Sequence, residues 1–154
     1  MTKVLRIYLG AVIWGIVSVA AALISVAANR MAVPTVWRVI ADGITVGILF
    51  LAGRAAKQQG AKPVGVGLLT GLLYGLVSGW VGFFVHVTRS VVMQRMKGHH
   101  LTSAEVNTAL HFANSTAIHI VTWVGAIVVS GILGLIFGAI GGATAKGPSA
   151  SQDV

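Results

Sequence analysis

The chain has 154 residues and a formal net charge of +8; 56% of its side chains are hydrophobic, only 9% are charged, and its mean hydropathy is +0.89. A water-facing surface normally takes about a quarter charged residues, so this composition excludes an ordinary soluble domain and points to lipid as the solvent. The absence of cysteine removes disulfides, thiolate metal sites and a cysteine nucleophile, and the three carboxylates, Asp42, Glu105 and Asp153, fall in separate segments, which argues against a paired acid and base.

A membrane-spanning helix needs about 20 apolar residues, and four segments meet that length: 5–28, 36–52, 64–87 and 118–143. The reading is an all-α polytopic membrane protein with four transmembrane helices in one domain, residues 1–146, followed by a disordered tail, residues 147–154. Pro34, Pro63 and Pro148 all fall between or beyond the spans, where proline belongs. Lys3 and Arg6 ahead of an apolar run resemble the start of a secretory signal. That run extends to Ala28, longer than the roughly 7–15 residues of a signal core, so the first span is expected to be retained.

The second span opens with Trp37, an interfacial anchor by position, and contains Asp42, the one acid inside a span. A carboxylate there needs protein or water around it, and Arg38 one turn earlier has the spacing of a helical ion pair. Arg54 and Lys57 close the span, where cations complement the helix dipole and reach headgroup phosphates. Small residues four apart mark each helix as a packing surface. Gly43 and Gly47 do so here, Ser18 with Ala22 or Ala21 with Ser25 on the first span, and Gly67, Gly71, Gly75 and Gly79 on the third. Ser130, Gly134, Gly138 and Gly142 form the matching ladder on the fourth.

The stretch from Gly43 to Tyr74 carries Ala52-Gly53-Arg54-Ala55-Ala56-Lys57, then Gly60, then Gly67, Gly71, Leu72, Leu73 and Tyr74. This pattern resembles the YrzE-like family of small four-helix bacterial membrane proteins, in which a Gly-Arg-x-Ala turn leads into a glycine-rich span. The resemblance implies a four-helix bundle in a bacterial plasma membrane and implies no activity. The histidine-containing connection farther along has no counterpart in that pattern.

In that connection, residues 90–97 contain no helix breaker and are expected to prolong the third helix to Gly98. Thr102 and Glu105 have capping-box spacing for a new helix, whose apolar face, Val106, Ala109, Leu110, Ala113 and Ala117, is expected to run unbroken into the fourth span. The result is a projecting helical hairpin with its tip at Gly98-His99-His100, a docking surface for a partner or for headgroups. On the opposite face Asn107, His111, Ser115 and His119 repeat every four residues, and His86 should lie at the depth of His119.

Three functions fit these features. The leading expectation is a non-enzymatic membrane protein that forms a homo-oligomer or joins a larger membrane complex through its glycine faces and hairpin. The second is a channel or transporter for a small solute or ion, lined by Asp42, His86, His111 and His119, with Arg38 entering from the same side. The third is a carrier of haem b or a divalent metal ion held by His86 and His119, with Asp42 as a possible third ligand for a metal. Nucleic acid is not an expected partner, because the cations are scattered over all loops without interleaved aromatics. With the N-terminus cytoplasmic, six cations lie inside and five outside; the tight cluster Arg54, Lys57 and Lys62 favours both termini in the cytoplasm.

Overall fold

The structure is a computed structural model that describes the backbone of residues 3–27, 35–95 and 102–146, and the side chains of residues 3–24, 39–93 and 102–146. Its regular elements among these residues are all helices: α1 (Lys3–Ala27), α2 (Thr35–Gln58), α3 (Pro63–Ser78), α4 (Val81–Phe84), α5 (Arg89–Arg95), α6 (Ser103–Ala113) and α7 (Thr116–Ala143). Four helices, the third formed by α3 with α4, are long and apolar enough to cross a membrane. The expected tip at Gly98-His99-His100 and the expected tail lie outside the described residues, as do the side chains of Trp37 and Arg38.

The second helix runs on to Gln58, past the expected end at Ala52, because Gly53, Arg54 and Ala55 carry no breaker. It stops at Gly60, the one described residue with positive φ (70°). Ala61 N–H donates to Ala56 O at 2.9 Å and Gly60 N–H to Lys57 O at 3.2 Å, the paired bonds of a Schellman motif that lets Pro63 open α3 two residues later.

Helix α7 packs against both α2 and α3. Its small residues face the α3 ladder so closely that the backbones touch. A methyl group on Gly138 would stand 2.8 Å from Gly67 Cα, and one on Gly75 would stand 2.8 Å from the Ala126 carbonyl oxygen. Gly134 lies against Gly67 and Gly71, Gly71 against Ser130, Gly79 against Trp123 and Ala126, and Gly142 against the Pro63 ring. Both long ladders are therefore filled within this chain. Gly43 and Gly47 differ: no described residue lies within 4 Å of where their Cβ atoms would be, so the expected short ladder on α2 meets no neighbour among the described residues.

Burial is one-sided along the bundle axis. On the described parts of the four long helices the buried residues are Ala11 and Gly15 on α1, Leu49, Ala52, Gly53, Ala55 and Ala56 on α2, Gly67, Thr70, Gly71 and Gly75 on α3, and Gly131, Gly134, Gly138, Gly141 and Gly142 on α7. All belong to the half nearer the α2–α3 turn; in the other half, residues 16–24, 39–48, 76–84 and 116–130, none is buried. Small side chains let the backbones meet in the first half, and the second half carries larger, less buried side chains.

Two sequence expectations about the connection are corrected. The third helix does not continue to Gly98: it breaks at Gly79-Trp80 and again at residues 85–88, where Val85 is extended (φ −100°, ψ 113°). Helix α6 does not run into the fourth span either, because Asn114 caps its end and Ser115, with ψ 144°, caps the start of α7 through a bond from Ile118 N–H. The hairpin is thus two short helices, α5 and α6, packed together, with Val92 and Val106 buried. The expected capping box at the start of α6 is present: Glu105 N–H donates to Thr102 Oγ1, and Thr102 N–H donates to Glu105 Oε2 at 2.7 Å. The Thr102 backbone N–H first and its hydroxyl second hold the Glu105 carboxyl below its usual range.

Candidate functional site

The two breaks face one another, and one side chain joins them. Extending the chain at Val87 leaves its N–H and C=O without helical partners, and both must be satisfied. The Asn114 amide does this alone: Val87 N–H donates to Asn114 Oδ1 at 2.7 Å, and Asn114 Nδ2 donates to Val87 O at 2.9 Å. A primary amide presents an acceptor and a donor side by side, which is the complement of a single extended residue. Asn114 therefore fastens α4–α5 to α6–α7 at the base of the hairpin.

Beneath this clamp lies an aromatic and imidazole cluster. Trp80, Phe83 and Trp123 pack edge-on or tilted, with ring centroids 5.8–6.2 Å apart, and Phe83 extends the cluster to His119 at 5.8 Å. Trp123 Nε1 donates to Leu76 O at 3.0 Å. At the α3 break Trp80 N–H turns to Val77 O, the i−3 carbonyl, so the indole caps a carbonyl at the helix end. His86 is exposed and its ring centroid is 6.0 Å from that of His119, at an interplanar angle of 71°. His119 Nε2 is buried and has no hydrogen-bond partner among the described residues. A buried imidazole nitrogen in that condition lacks the hydrogen-bonding partner such atoms ordinarily have, and the exposed imidazole of His86 borders the ring.

The other sequence candidates fall elsewhere. Asn107, His111 and Ser115 line one open groove with Leu110, Asn114 and Thr116, but the break at Asn114 takes His119 out of that stripe. His111 is exposed. Asp42 does not join the histidines: no three His, Asp or Glu side chains converge among the described residues. Asp42 is exposed, yet it lies seven, eleven and fourteen residues before Leu49, Gly53 and Ala56, and so on the same inward stripe of α2. It has no ion pair with a described residue, and the expected Arg38 partner lies outside the described side chains. One turn away Trp14 Nε1 donates to Thr45 Oγ1 at 3.0 Å, tying α1 to α2.

Two functional positions were missed by sequence reasoning. Asn114 was read as part of a continuous helix, although Asn-Ser-Thr at 114–116 is a run of three good cap residues. The extended segment 85–88 holds Val85, Val87 and Thr88, three β-branched residues in four, which was the available signal for a departure from helix. No protein-family model, no curated protein and no solved structure matches this chain. The YrzE-like resemblance over residues 43–74 gains no support from these comparisons.

Proposed function

We propose that the protein is a non-enzymatic integral membrane subunit that crosses the bilayer four times and associates laterally, with itself or within a larger complex, through the open half of α2. Large apolar side chains exposed around the bundle, among them Ile24 (68%), Val121 (66%) and Val129 (57%), support hydrocarbon as the surrounding medium. The observation that carries the association is the Asp42–Gly47 segment: an exposed carboxylate beside two glycines with empty space over them. A carboxylate inside a span costs about 2.5–3.5 kcal/mol when it faces lipid, so this segment meets a partner or water. The long glycine ladders are not available for association, being filled inside the chain.

The absence of native cysteine makes the test direct. Gly47→Cys and Gly125→Cys each place a thiol at an open glycine, on α2 and α7 respectively. Oxidation in native membranes is expected to crosslink Gly47→Cys to a second copy or to a neighbouring subunit, and to leave Gly125→Cys single. A monomer by single-molecule counting, together with no crosslink at Gly47, contradicts the proposal.

A second reading, a pathway for a small solute or ion, is favoured by one observation: Asp42 is an exposed carboxylate that by helical period continues the stripe of α2 buried at Leu49, Gly53 and Ala56. Flux into proteoliposomes that is lost with Asp42→Asn supports that reading, and flux unaffected by it counts against it.

A further inference from the structure

The open groove of about 310 Å³ between the beginning of α1 and the end of α2 differs in chemistry from every feature considered above. Its polar rim is made of Lys3 and Arg6, one turn apart on α1, and Arg54 and Gln58, one turn apart on α2. Its floor is apolar, formed by Ile7, Leu51 and Ala55. No described carboxylate neutralises the rim. Asp42 lies 12 residues before Arg54 on the same helix, about 18 Å away by helical rise, and Glu105 is held in the capping box at the other end of the bundle. The remaining side-chain carboxylate, Asp153, lies outside the described residues.

We propose that this groove is a binding site for an anionic phospholipid, with the phosphate held by Arg6, Arg54 and Lys3 and one acyl chain laid over Ile7, Leu51 and Ala55. Two guanidinium groups from facing helices form a fork that matches phosphate oxygens, and Gln58 adds a neutral donor for a headgroup hydroxyl. The apolar floor selects a lipid over a free phosphate, which has nothing to place there. The site goes beyond the association proposed above and depends only on the bilayer setting: the rim stands at the ends of two span-length helices, where headgroups lie.

The test is a titration of the delipidated full-length protein in mild detergent with fluorescent phosphatidylglycerol, compared with phosphatidylcholine. The unmodified protein is expected to prefer phosphatidylglycerol. Arg6→Gln with Arg54→Gln is expected to weaken that binding about fivefold per cation removed. Lys62→Gln with Lys146→Gln removes equal charge from the same end but off the groove. It is expected to leave binding within about twofold, because neither lysine lines the groove and exposed charges out of contact with the ligand are screened by salt. Equal losses from the two pairs, or no preference between the lipids, overturn the site. Displacement of phosphatidylglycerol by an equal concentration of inorganic phosphate overturns the lipid as the occupant. A measurement without variants keeps the proposal exposed to failure if the Arg pair does not fold. Phosphatidylglycerol bearing a photoreactive acyl chain is expected to label the unmodified protein at Ile7, Leu51 or Ala55, and labelling spread evenly over all four long helices contradicts it. Because folding in detergent is scored separately from lipid choice, failure here is distinguishable from failure of the membrane reading.

Discussion

The two halves of the bundle are built from the same four helices by opposite means. In the half beside the α2–α3 turn, glycine and alanine bring the α2, α3 and α7 backbones into contact, and the buried side chains larger than alanine are few, Leu49 and Thr70 chief among them. Thr70 satisfies its own hydroxyl by donating to Val66 O at 2.7 Å, so it adds no polar demand to the interface. In the half beside the hairpin, helices are joined by discrete polar links: Trp14 to Thr45, Trp123 to Leu76 and Asn114 to Val87. Stability by continuous close packing resists any added atom. The half linked at a few points also holds the exposed Asp42 and the buried His119 nitrogen that has no hydrogen-bond partner among the described residues.

The comparison breaks most readily at the glycines. Gly138→Val is expected to destabilise the bundle by more than about 3 kcal/mol, since the new side chain meets Gly67 Cα and the Pro63 carbonyl oxygen and neither can rotate away. Gly125→Ala, on the same helix with open space around it, is expected to change stability by less than about 0.5 kcal/mol. Unfolding of the two variants in mild detergent measures the contrast, and similar losses would remove the distinction between halves.

Next in size is the clamp. Asn114→Leu leaves both Val87 groups unpaired and is expected to cost about 1–3 kcal/mol, read by hydrogen exchange as faster loss of the Val87 amide than of amides in α3. Asn114→Asp preserves the acceptor and should retain the protection of Val87 N–H better than Asn114→Leu does.

A smaller effect belongs to the first turn of α6. Thr102→Ala is expected to cost α6 about 1 kcal/mol, seen as fraying of its first turn with α7 unchanged. The pH dependence has the same origin. Because the folded state lowers the Glu105 pKa, the stabilisation is present above the unfolded value and is lost as pH falls through the folded one. Acid should therefore fray α6 in the unmodified protein and change Glu105→Gln less. The smallest expected effect is that of Asp42→Asn on stability, under about 0.5 kcal/mol by the same unfolding measurement, since the side chain is exposed and has no described partner.

The closed half was legible in the sequence because helical periodicity survives packing: residues four apart share a face whichever neighbour they meet. The Gly67–Gly75 and Gly134–Gly142 ladders could be placed on helix faces from spacing alone, but not the identity of the neighbour, which proved to be each other. The same rule misled at Gly43 and Gly47, where the spacing is right and the neighbour is absent. The hairpin was less legible. Its breaks at 85–88 and at Asn114-Ser115 depend on a mutual satisfaction of backbone and amide between residues 27 apart, and a pass along one helix at a time contains no such information. Thr102 and Glu105, three apart, were readable because both halves of their interaction are local.

The division into a closed and an open half is tested most directly by thiol labelling of the monomer isolated in mild detergent, again using the absence of native cysteine. Asp42→Cys and Ala56→Cys lie on one stripe of α2, the first exposed and the second fully buried. A small water-soluble maleimide is expected to modify Asp42→Cys and to leave Ala56→Cys unreacted until the protein is unfolded. Equal modification of the two, or reaction at Ala56→Cys alone, would contradict the account.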